Sequence, residues 1–110
     1  GRMREICGAL SGAFLAMGWL YGYEEPGDDG EKAAHYARVQ ELAAAFRERH
    51  GAIQCRELLN HPDTGATPTP RTETFYRDRP CAKLVRDAAA LLERYMESYP
   101  REWGAKENKN

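Results

Sequence analysis

The sequence lacks the marks of most enzyme classes. It carries no G-x-S-x-G elbow, no P-loop and no glycine fingerprint for a dinucleotide. Its only serines are Ser11 and Ser98, and neither has a base nearby in sequence. Charge of one sign is also missing: 16 Lys and Arg face 17 Asp and Glu, for a net charge of -1. The two signs are intermixed, which argues against non-specific attraction to nucleic acid or to an anionic membrane. The one long apolar run is too short and too glycine-rich for a membrane span. No signal-peptide pattern, internal repeat or low-complexity tract is visible. Three cysteines, an odd count at wide spacing, do not make the framework of a small secreted protein. They point instead to reduced thiols and a cytoplasmic setting. The 110 residues suffice for one domain with one core.

What is present centres on the first twenty residues. Cys7 opens a run in which no charge appears between Glu5 and Glu24. Residues 4 to 21 read as a helix that is apolar almost all the way round, so other helices are expected to wrap it on most sides. Gly8, Gly12 and Ala16 repeat every four residues and line one face. Glycine costs a helix about 1 kcal/mol relative to alanine, so two glycines here suggest the close approach of another backbone or a cofactor, with Gly8 and Gly12 as its binding positions.

Gly22 is the expected left-handed stop of this helix. Asp28 or Asp29 is suited to cap the next, residues 31 to 50, where Val39, Leu42, Ala43 and Phe46 form the apolar stripe. Arg47, Arg49 and His50 suit its negative end, and Gly51 stops it. A short helical stretch follows over 56 to 59, opened by Cys55. Residues 60 to 74, with Pro62, Gly65, Pro68 and Pro70, read as a long loop whose far end Phe75 and Tyr76 pin to the core. The last helix is expected over 80 to 98, with Pro80 at its first position, Asp78 as cap, and Leu84, Val85, Ala88, Leu91, Leu92 and Tyr95 on its apolar side. The fold class is therefore all-α: a small bundle of three main helices and one short one, spanning residues 1 to 100, with a polar tail over 101 to 110. Trp19, Tyr21, Tyr23, Tyr36 and Tyr76 are read as core and rim packing.

All three cysteines, Cys7, Cys55 and Cys81, fall at or near expected helix starts, each beside basic residues. Arg2 and Arg4 precede Cys7, Arg56 follows Cys55, and Arg77, Arg79 and Lys83 surround Cys81. A positive helix end and neighbouring cations favour the thiolate, the form that attacks disulfides or binds metal. Three readings follow. One is dithiol–disulfide chemistry, which needs two of the cysteines within about 7 Å between Cα atoms, Cys7 with Cys55 or Cys81. The second is an iron–sulfur or other metal site on Cys7, Cys55 and Cys81, with His50 or His61 as an extra ligand. The third is an interaction module without chemistry, in which each cysteine packs as a small hydrophobe.

The element Cys7-Gly8-Ala9-Leu10-Ser11-Gly12, then Cys55-Arg56-Glu57-Leu58-Leu59, then Cys81-Ala82-Lys83-Leu84-Val85, resembles the three ordered blocks of a redox-active protein family named for its C-GCAxxG-C-C pattern. The resemblance implies a small helical, mostly prokaryotic protein with a thiol redox or cluster-binding role. It also implies an upstream helix with a further cysteine, of which only the turn Gly1-Arg2-Met3-Arg4 remains in this sequence. Thiol redox or electron transfer through Cys7, Cys55 and Cys81 is the leading expectation, with Cys7 ranked first. The expected partners are a redox partner protein and a second copy of the chain, with no nucleic acid and no membrane.

Overall fold

The computed structural model describes residues 2–100. Gly1 and the polar tail over 101–110 lie outside the described residues. Among the described residues the chain is mostly helical and has no sheet. Its elements are α1 (Gly8–Tyr21), α2 (Asp29–His50), α3 (Cys55–Leu58), α4 (Glu73–Asp78) and α5 (Cys81–Ser98). None of these helices is long and apolar enough to cross a membrane.

The three long helices pack on one another, α1 against both α2 and α5. Leu10 and Met17 on α1 and Phe46 on α2 are completely buried, joined by Tyr21, Leu42, Leu84, Ala88 and Leu91. Local chemistry sets the ends of α2. The Asp28 carboxylate accepts the Glu31 N–H at 3.0 Å, and Gly51 closes the helix in the left-handed conformation with φ 84°.

Four expectations are corrected. First, α1 starts at Gly8 with Cys7 as its cap, because the preceding segment is engaged elsewhere. Ile6 bridges antiparallel to Gln54, Cys7 N–H donates to Ile53 O at 2.9 Å, and Cys55 N–H donates to Glu5 O at 2.6 Å. Second, Gly22 is extended, with φ -63° and ψ 157°. It is glycine for space: a Cβ there would lie 2.3 Å from the Gly18 carbonyl oxygen. Third, the 60–74 loop ends in α4, capped where the Thr72 hydroxyl accepts the Phe75 N–H at 3.1 Å. Asp78 therefore belongs to α4, and Pro80 is the cap rather than the first residue of α5. Fourth, α1 is not wrapped on most sides. Leu15 and Trp19 are 77% and 83% exposed. Of the aromatic side chains expected to pack, Tyr21 is buried, meeting the Tyr95 ring edge-on at 5.1 Å, whereas Tyr23, Tyr36 and Tyr76 are exposed.

Candidate functional site

The short bridge between residues 4–7 and 53–56 ties the first cysteine block to the second. Cys7 and Cys55 each donate their backbone N–H across it, and Arg56 N–H donates to Arg4 O at 3.1 Å. The Arg56 side chain also pairs with Glu5. Arg4, at the turn into this bridge, adopts φ 61°, a left-handed conformation that costs a side-chain-bearing residue roughly 1–2 kcal/mol. It is also nearly buried, at 9% exposure. Its guanidinium reaches Cys55 and the loop beyond it. Arg4 Nη1 lies 3.9 Å from Cys55 Sγ, and Arg4 Nε donates to Asp63 O at 3.0 Å.

Arg2 extends the same anchoring along the loop. It pairs with the Asp63 carboxylate at 3.3 Å, donates to the Gly65 carbonyl, and reaches the Thr69 hydroxyl at 3.2 Å. Asp63 is held below its ordinary value of 3.8, first by the Gly65 N–H that it accepts at 2.8 Å, then by Arg2 and Arg4, with partial loss of hydration working the other way. Beyond this loop, the Phe75 ring has the Arg71 and Arg79 guanidinium groups at 4.4 and 4.8 Å from its centroid. Cation–π contact of this kind holds a guanidinium in place while leaving its N–H edges available.

These parts enclose a cleft of about 480 Å³, lined by Arg2, Arg4, Arg71, Phe75, Arg79 and Cys81 together with neighbouring loop residues. Its size is within the range of small-molecule sites. Cys81 is the first residue of α5, the second-longest helix, so the positive end of that helix adjoins the cleft. The three thiols are all unpaired and differ in access: Cys7 is buried at 8%, Cys55 is half-buried and Cys81 is exposed. The thiol ranked first from sequence is thus the least accessible. Arg4 belongs to both surroundings, touching Cys55 and lining the cleft that Cys81 lines.

Of the histidines considered as extra metal ligands, His50 has its side chain on another partner. His50 Nε2 lies 3.3 Å from the buried Asp87 carboxylate, which also has Arg49 at 3.7 Å. His61 is exposed, and its N–H donates to Arg56 O at 2.6 Å. Among the described residues no three of His, Cys, Asp and Glu are gathered as a metal-holding group. Gly8 and Gly12 line a separate apolar groove of about 330 Å³ between α1 and α5, with Ala16, Val85, Ala89 and Leu92. A Cβ added at either glycine would meet nothing within 4 Å, so no other part of the described chain makes the close approach expected there.

Three residues of the candidate site were not read from the sequence: Arg71, Phe75 and Arg4 in its contact with Cys55. A signal for the first two was present. Arg71, Phe75 and Arg79 recur every four residues, the spacing that aligns side chains along one helix face. No such signal exists for Arg4, because its partner is 51 residues away.

Residues 1–95 match the family model described as "Putative redox-active protein (C_GCAxxG_C_C)", and the chain belongs to that family. Neither a curated protein nor a solved structure matches it.

Proposed function

We propose that within its redox-active family this chain works by thiol–disulfide exchange, with Cys81 as the thiol that meets substrate and Cys55 as the second thiol of the pair. The observation that carries the reading is the position of Arg4, a nearly buried guanidinium 3.9 Å from Cys55 Sγ that also lines the cleft beside Cys81. A guanidinium N–H directed at the Cys55 sulfur ties that thiol to the cleft that Cys81 lines. Cys7 then has a supporting part: it caps α1 and anchors the bridge that carries Cys55. In the full cycle Cys81 attacks a substrate disulfide, and Cys55 attacks the Cys81 sulfur of the resulting mixed disulfide. The second substrate thiol leaves, and a Cys55–Cys81 disulfide remains. The two-electron balance closes when a redox partner protein reduces that disulfide. Closing the Cys55–Cys81 bond requires their Cα atoms to come within about 7 Å.

The test is oxidation of air-free protein by one equivalent of a small disulfide, followed by peptide mapping. The expected product is an intramolecular Cys55–Cys81 bond, formed in the wild type and in Cys7→Ser and absent in Cys55→Ser. A product linking two chains through Cys81, with Cys55 left as a free thiol, overturns the pairing. Metal and sulfide analysis of the same preparation addresses the cluster reading: stoichiometric iron lost in Cys81→Ser would replace the exchange mechanism with a cluster.

A further inference from the structure

The cleft beside Cys81 gathers four arginines in a chain of nearly balanced charge. The whole sequence has a net charge of -1. Of the four arginines lining the cleft, only Arg2 has a carboxylate at ion-pair distance among the described residues. The guanidinium groups of Arg4, Arg71 and Arg79 have none, and the N-terminus of α5 adds its partial positive charge beside them. Two of the three are stacked on a single ring and so are ordered before any ligand arrives. A planar guanidinium presents paired N–H groups that match a carboxylate in two parallel hydrogen bonds.

Resting on the exchange reading above, we infer that the cleft selects a small disulfide bearing carboxylate groups. Arg71 and Arg79 bind a carboxylate, and the disulfide sulfur is placed against Cys81. The first step balances as follows. The Cys81 thiolate attacks one sulfur of R–S–S–R, the Cys81 Sγ–S bond forms, and the R–S–S–R bond breaks. The electron pair leaves on R–S⁻, which takes a proton from water. The Cys81 sulfur is oxidised and the departing sulfur reduced. Charge selection enters at binding, so it acts on KM-type and encounter terms, and it weakens as salt rises.

Three probes of different charge test this on the full chain: glutathione disulfide with its carboxylates, neutral hydroxyethyl disulfide, and cationic cystamine. Mixed-disulfide formation at Cys81 is followed by mass spectrometry, each rate divided by that of a short unstructured cysteine peptide. The normalised rate should favour glutathione disulfide over the neutral probe by about tenfold or more, the lower end of the range for charge-steered encounter. The preference should fall away in 0.5 M salt and in the double variant Arg71→Gln/Arg79→Gln. Since that variant removes both stacking partners of Phe75, Arg71→Lys/Arg79→Lys provides the control. It keeps the charge, should keep part of the preference, and should retain wild-type helicity. Calorimetry of glutathione disulfide with Cys81→Ser reads binding without chemistry. Equal normalised rates for all three probes, with no binding to Cys81→Ser, overturn the anion selection and leave thiol exchange standing. Binding to Cys81→Ser without any mixed disulfide in the wild type overturns the exchange step itself.

Discussion

Two glycines of α1 should respond to the same substitution in opposite directions. Gly12 lies in the interior of α1, and an added Cβ would meet nothing within 4 Å. Gly12→Ala therefore brings only the helix gain, about 1 kcal/mol from reduced backbone freedom of the unfolded chain. For a domain of this size that corresponds to a rise in Tm of roughly 4–8 °C. Gly22→Ala should do the reverse. Its Cβ would sit 2.3 Å from the Gly18 carbonyl oxygen, a backbone atom that cannot swing aside. The terminus of α1 must distort, at about 1–3 kcal/mol. Thermal unfolding followed by circular dichroism, at two protein concentrations tenfold apart, measures both. The comparison also probes the groove between α1 and α5. If Gly12→Ala lowers Tm, and the loss grows with protein concentration, the groove is filled by a second copy that the methyl displaces. The reasoning that leaves that face open then fails.

Further outcomes concern the core, the ion contacts and the thiols. Phe46→Ala removes the largest completely buried side chain and should cost about 3–5 kcal/mol, read from the midpoint of urea unfolding. Asp87→Asn keeps the shape of a buried carboxylate but not its charge beside His50 and Arg49. It should cost about 1–3 kcal/mol in the same assay, and a neutral result would mean that Arg49 simply turns to solvent. Asp63 is held below its ordinary value, so its contribution is present above pH 3.8 and is lost as pH falls through the lower folded value. Amide exchange in the 63–69 loop should accelerate there before the helices respond, and Asp63→Asn should remove the transition. Alkylation of the native protein should modify Cys81 fastest, Cys55 more slowly and Cys7 only on unfolding; early labelling of Cys7 contradicts its burial.

Features decided within a few residues were legible in the sequence. Asp28 reaches only to Glu31, and Gly51 closes on Arg47, so a cap and a stop could be read from local pattern. The apolar stripe of α5 was legible for the same reason, although its Val85 is 56% exposed beside the groove. The start of α1 was not legible, because the Ile6–Gln54 bridge competes for the same backbone groups and pairs residues far apart in the chain. Gly22 gave the right punctuation for a different cause, close approach instead of positive φ. The basic residues near each cysteine were visible, but adjacency in sequence assigned Arg4 to Cys7, whereas its guanidinium reaches Cys55.

Arg2 and Arg4 also join two parts of the molecule that could otherwise come apart. Between them they hold the loop at Asp63, Gly65 and Thr69, yet both lie ahead of the first helix. Replacing both arginines with alanine would release both tethers at one stroke and spare every helix. One wall of the arginine pocket would swing loose while the hydrocarbon interior stayed shut. The pocket's integrity therefore leans on two side chains that belong to none of the helices.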